Sequence, residues 1–327
     1  MRLKLFGIIG LVFAVSSAVT WVATVTIVQS QYINIESANV EKDTSRAVDA
    51  LNNSIDQLAL KAPDWGMWDD TYKFITDRNQ AYMDSNLQGE SLQNLGINFM
   101  LFYNKDRKLV ISKGVDVKTG DDIAIPKELA QALAPDSKLL AISDDDAHKG
   151  LLGTKTYPLL IATSPILHSD TTGPYQGTLV FAQFLLPSDI AELGRITHLK
   201  LGFYPALDDT GSPTQETFGI TAGNARTQVK DHQTIFGRRL VNDIYGKPLL
   251  VARVDEPRQI FQQTQQTLIF YMLVILGVSL SAIVIAIYTT GRISRQNRMM
   301  EAERAIKREI EHQVTERTTE LHQEHAR

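Results

Sequence analysis

The chain has no cysteine among its 327 residues. That excludes disulfides, thiolate catalysis and any Cys-ligated metal. For a domain held outside the cytoplasm, it fits a bacterial exterior such as a Gram-negative periplasm better than a eukaryotic secretory route. The common enzyme patterns are missing too: there is no Gly-x-Ser-x-Gly elbow, no His-Glu-x-x-His or His-x-His pair and no phosphate-binding Gly-rich loop. His148, His168, His198 and His232 are scattered, while His312, His322 and His325 lie among Glu and Arg without a kinase-type context. Asp144, Asp145 and Asp146 beside His148 form an acidic run without EF-hand spacing, which reads as a solvated loop. No catalytic constellation, metal site or cofactor site is expected.

Charge is absent from two long apolar runs, Leu5 to Val28 and Leu268 to Tyr288. About 20 such residues span a bilayer. Arg2 and Lys4 precede the first run, and Arg292, Arg295 and Arg298 follow the second with no acid among residues 289–298. Basic residues mark cytoplasmic ends, so both termini are expected inside and the centre outside. Ser16, Ser17 and Ala18 offer a peptidase site, but the apolar run continues ten residues past Ala18, so the first span is expected to be retained. The expected division is 1–28 for the N-terminus and first span, 29–267 for the outer domain, 268–288 for the second span and 289–327 for a cytoplasmic helical linker. Residues 29–267 carry 23 basic and 30 acidic side chains, a net charge of −7, which disfavours nucleic acid as a partner.

From Gln29 to Ala62 the pattern predicts one long helix. Val48, Leu51, Ile55, Leu58 and Ala62 repeat at intervals of 3 and 4, a seam that calls for another helix from the same domain or a second protomer. Pro63 is expected to interrupt it, with a new helix starting near Asp64. Phe99 to Tyr103 and Lys108 to Ser112 flank a turn and predict a hairpin. Further strands are expected at 159–163, 177–185, 199–204, 234–241 and 248–254, and helices at 127–134 and 187–196. The sum is an α+β fold, an antiparallel sheet with helices on one side. Pro257 is placed to open a last helix that runs into the second span. In the tail, which lacks Pro and Gly from Ile293 onward, Ile306, Ile310, Val314 and Leu321 form a weak coiled-coil stripe, or the face of a solvated single helix.

The run Asp64-Trp65-Gly66-Met67-Trp68-Asp69-Asp70-Thr71-Tyr72-Lys73-Phe74 resembles the opening motif of CHASE sensory domains of the fourth type, which are extracytoplasmic domains of bacterial and archaeal receptors. The likeness continues at Tyr82, Asn86-Leu87 and Asn98, then at Ser164 to Leu167, Gly173 to Val180 and Phe184-Leu185, covering about 60–190. Asn242 to Pro248 and Pro257-Arg258 resemble the stretch leading such receptors into their second membrane helix. The resemblance implies a periplasmic small-molecule sensor of Cache/PAS-like fold. It also implies a cytoplasmic output of diguanylate cyclase, phosphodiesterase or histidine kinase type. No such module is readable in the tail, so the output is expected either in cis on a longer chain or in trans.

Trp65, Trp68 and Tyr72 stand at i, i+3 and i+7, one helical face. Trp65 and Trp68 read first as packed core. Asp69 and Asp70 are costly to bury unpaired. They are free to cap the neighbouring loop, to pair with Lys73, or to hold a cationic ligand against the aromatics. These five residues are the candidate ligand-binding set. The whole predicts a homodimeric transmembrane receptor of the bacterial inner membrane. The alternatives are an envelope assembly protein, which a large exposed apolar patch would favour, and a membrane-tethered periplasmic hydrolase.

Overall fold

The computed structural model describes residues 2–140, 147–220 and 223–324, with side chains from Gly10 to Thr318. Asp144, Asp145 and Asp146 lie outside the described residues, as does the side chain of Leu321. The chain divides into two units, residues 34–259 and a unit made of 1–33 with 260–327.

The second of these units holds the apolar parts of helices α1 (Arg2–Gly66) and α7 (Gln259–Glu324), both long and apolar enough to cross a membrane. Leu11, Val15, Val19 and Val22 of α1 and Phe270, Leu273, Leu280 and Val284 of α7 are exposed, as lipid-facing side chains would be. Within the unit, the hydroxyls of Ser17 and Ser279 hydrogen-bond at 2.6 Å.

Residues 34–259 form an α+β body with two antiparallel sheets. Helices α2 (Asp69–Asp77), α3 (Gln80–Asn86) and α4 (Gly89–Leu95) follow α1. Strands β1 (Phe99–Asn104), β2 (Leu109–Gly114), β3 (Lys149–Leu152), β4 (Leu159–Ile166) and β5 (Gly177–Phe184) then build a sheet in the order β2-β1-β5-β4-β3. Helix α5 (Lys127–Ala132) lies in the β2–β3 connection. Helix α6 (Pro187–Thr197) leads to β6 (Lys200–Pro205), β7 (Arg226–Val229), β8 (Thr234–Asn242) and β9 (Pro248–Pro257), ordered β6-β9-β8-β7. This is the α+β architecture that the sequence predicts, with a long N-terminal helix.

The first sheet has helices on both faces, not one. Met100, Phe102, Leu179 and Phe181 alternate toward one face, and Phe99, Leu101, Val180 and Ala182 toward the other, all of them buried. Strands apolar at every position have no face to give to water. The first face packs with α1–α4 and the second with α5 and Leu139 and Leu140. The α1 seam is buried in this core: Val48, Leu51, Ile55, Leu58 and Ala62 join the same cluster as Phe102 and Phe181 of the sheet and Phe74, Tyr82 and Leu92 of α2–α4.

Pro63 does not interrupt α1. It sits in the last turn, where it forfeits only its own backbone bond, and Met67 N–H still reaches the Pro63 carbonyl at 2.7 Å. The helix stops at Gly66, where a Cβ would collide with Ser164 Oγ and the Pro165 carbonyl.

Candidate functional site

The break after Gly66 changes the geometry of the aromatic–acid run. Trp68 is extended (φ −128°, ψ 131°) as the N-cap of α2, so Trp65 and Tyr72 lie on different helices and do not share a helical face. Trp65 and Trp68 meet edge-on with centroids 6.1 Å apart, and Trp68 leans on Tyr82, also at 6.1 Å. Both tryptophans are half-buried and packed against the main core. Below them Phe74 stacks on Tyr82 at 4.3 Å, and the Tyr82 and Thr71 hydroxyls share a buried 2.7 Å hydrogen bond. Burial pushes the Tyr82 phenol up to about 12, with the Thr71 hydrogen bond opposing.

Asp69 and Asp70 open α2, where the positive end of the helix dipole favours acids. Both are exposed. Asp69 Oδ1 lies 2.7 Å from His168 Nδ1 and accepts the Ser169 N–H at 3.2 Å, while its own N–H donates to Ser169 Oγ at 3.2 Å. The His168 bond, followed by the Ser169 N–H, holds the Asp69 carboxyl below its usual range. Tyr72 stacks on the His168 ring at 3.7 Å, donates its hydroxyl to the Pro174 carbonyl at 3.2 Å and accepts from Gln176 Nε2 at 3.1 Å. Gly173 (φ 90°) leaves room for this stack, since a Cβ there would meet His168 and Tyr72.

The structure thus gathers Asp69 and Tyr72 with His168, Ser169 and Gln176 into a lock that folds the β4–β5 connection onto the start of α2. It places Trp65 and Trp68 in a separate ring cluster. The Asp70 side chain makes no hydrogen bond among the described residues; its charge bears on Tyr82. The sequence does not mark His168, Ser169 and Gln176 as partners, although Gln176 belongs to the family-like stretch Gly173 to Val180 and His168 and Ser169 lie between that stretch and Ser164 to Leu167.

A second feature lies at the other end of the first sheet. A cleft of about 790 Å³ opens between the residues after β2, the lead into α5, the β3–β4 turn and the end of β5. Asn98 lines it and ties those strands together. Its Nδ2 donates to the Val115 carbonyl at 3.0 Å and its Oδ1 accepts the Phe184 N–H at 2.9 Å. Phe184 and Tyr157 give it an aromatic wall, their rings 6.2 Å apart and nearly perpendicular.

The α+β lobe is preceded and followed in the chain by helices long and apolar enough to cross a membrane. Residues 50–204 match the CHASE4 domain. The chain is 27% identical over 237 residues to the methanogenesis regulatory histidine kinase FilI of Methanothrix harundinacea. That match covers 72% of this chain and 26% of FilI, so the chain spans about a quarter of the length of this relative. Among solved structures it is similar to the periplasmic domain of Vibrio cholerae LuxQ, at 10% identity and a TM-score of 0.45 over 67% of this chain and 99% of that one. It is also similar to the periplasmic sensory domain of the Campylobacter jejuni chemoreceptor Tlp1, at 8% identity and a TM-score of 0.39 over 70% and 98%.

Proposed function

We propose that the chain is the sensing and transmembrane part of a bacterial inner-membrane receptor, with residues 34–259 in the periplasm and both ends in the cytoplasm. It binds a small molecule outside and passes the signal through α7 to an output of histidine-kinase type, in cis or in trans. The observation that carries this reading is the CHASE4 domain joined through β9 to α7, a helix without interruption from Gln259 to Glu324. FilI supports the kinase-type output because it is itself a histidine kinase. Arg292, Arg295 and Arg298 support the orientation. Ile306, Ile310 and Val314 are exposed along the tail and support a homodimer in which two copies of α7 pair. The CHASE4 match favours this reading over an assembly protein or a hydrolase.

A helix relays shift or rotation as a rigid element, turning about 100° per residue. Residues 1–327 grafted onto a kinase reporter, with insertions after Gln296, test the relay. Seven inserted residues restore the face to within about 20° and should leave the reporter's output at the level of the uninserted chain. Two rotate it by about 200° and should lock the output. Equal output from both insertions would reduce the tail to a flexible tether and remove the proposal.

A further inference from the structure

We infer that the cleft beside Asn98 is the ligand site of this receptor and that it takes a small organic anion with a flat apolar body, such as an aromatic carboxylate. The inference rests on the receptor reading above and adds the place and the chemistry. The volume, about 790 Å³, suits a metabolite-sized ligand. The interior is apolar, with Ile123, Ile125 and Leu186 beside the rings of Phe184 and Tyr157. Phe184 is half-buried and Tyr157 is 38% exposed, so both rings have surface to offer a flat partner. Asn98, the buried polar residue of the wall, has its amide committed to Val115 and Phe184, so recognition falls to the mouth.

The mouth is basic, although residues 29–267 as a whole carry a net −7. Lys118, Lys127 and Lys155 line it against two acids, Asp116 and Glu128. Asp116 is turned to its own loop, with Oδ1 accepting the N–H groups of Lys118 and Thr119 at 2.8 and 3.2 Å. Lys113 and Lys149 elsewhere on the domain are paired with Asp122 and Asp56 at 2.6 and 2.7 Å. The three lysines at the cleft enter no ion pair among the described residues. An apolar slot with unpaired ammonium groups at its rim selects a carboxylate over an amine. At the tryptophan-acid run, by contrast, Asp69 and Tyr72 already bond to the β4–β5 connection.

The test uses the full chain in lipid nanodiscs and three probes: phenylacetate, benzylamine and acetate. Titration calorimetry should show phenylacetate binding about tenfold or more tighter than either of the others. The triple variant Lys118→Glu, Lys127→Glu and Lys155→Glu changes exposed side chains and should fold with an unchanged melting temperature. It should lose phenylacetate and prefer benzylamine. Tyr157→Ser should weaken phenylacetate and leave acetate as it was. Benzylamine binding as well as phenylacetate, or an order of affinities that survives the charge reversal, would overturn the assignment. The insertion experiment after Gln296 needs no ligand, so it can stand while this site fails, or fail while this site stands.

Discussion

The two sheets of residues 34–259 are held together by different physics. β4 is buried along its whole length, and β1 and β5 nearly so, with apolar clusters on both faces. The second sheet has one apolar face, where Gly237 and Val254 lie against Val40, Thr44 and Ala47 of α1. Its other face is charged. Arg238 and Arg253 sit over the Phe236 ring at 5.3 and 4.3 Å, and Arg253 binds Glu216 and Asp255, each at 2.9 Å. Arg238 hands its terminal nitrogens to the carbonyls of Gln215, Glu216 and Phe218, pinning the segment between β6 and β7. Apolar burial is non-directional and tolerates no gap. A charged face depends on geometry and leaves costs behind: Arg238 Nε and Glu216 Oε2 are buried without a hydrogen-bond partner. The first sheet is thereby built as a fixed platform. The second, which continues in the chain into α7, adds this polar face to the share of the main core held by Val241, Leu250 and Ala252.

The largest effect that bears on this contrast is in the platform. Phe102 is fully buried between Phe74 and Tyr82 and belongs to the main core. Phe102→Ala should cost about 3–5 kcal/mol, read as a lower urea midpoint for the full chain in detergent. A loss below 1 kcal/mol would mean that the first sheet is not the rigid part of the molecule.

A smaller effect should separate the sheets. Gly237 faces α1 so closely that a Cβ would strike Thr44 Oγ1 and the Val40 side chain. Gly237→Ala should cost about 1–3 kcal/mol by overpacking. Hydrogen exchange should show the loss first in β7, β8 and β9, with β1, β4 and β5 amides still protected. Equal loss in both sheets would make the whole domain one cooperative unit and dissolve the contrast.

Much of this architecture is legible in the sequence where a local signal exists. The β1–β2 hairpin turns at Asn104, whose side chain accepts the N–H groups of Asp106 and Lys108. α6 starts at Pro187, with Asp189 accepting the Leu186 N–H. The unbroken apolar character of residues 99–103 and 159–162 already implied two covered faces, although the expectation was one. β3 and β7 escaped because Lys-Gly-Leu-Leu and Arg-Thr-Gln-Val are too short to show alternation. The α1 stripe predicts a buried seam and another helix against it, but periodicity does not distinguish helix from sheet, and its cluster holds residues of both. The partners of Asp69 were hidden for a different reason. His168 is 99 residues away, and a single sequence carries no record of contacts at that range.

The smallest effect concerns that pair and separates polar decoration of the platform from the platform itself. Asp69 and His168 have side chains 63% and 40% exposed, so water screens their attraction and stability should barely register its loss. The local consequence is larger than the global one. The segment from Leu167 to Gln176 contains Thr171 at φ 60°, a conformation that a β-branched residue rarely adopts unless its surroundings hold it. The sign of the pH effect follows from the carboxyl. Its folded-state pKa lies below the ordinary 3.8, so the lock's contribution is present above that value and is lost as the pH falls through the lowered one. In the parent chain, exchange protection of the 167–176 amides should drop in that acid range, ahead of the β4 and β5 amides. Asp69→Asn cannot titrate. It should show weaker protection at neutral pH, no acid step in this segment, and a melting temperature close to that of the parent. An acid step of the same size in Asp69→Asn would assign it to another group, with Asp170 the nearest candidate because its own carboxyl is lowered by Thr172. A fall in stability as large as that of Phe102→Ala would show instead that the surface lock, and not the two-faced core, holds the first sheet in place.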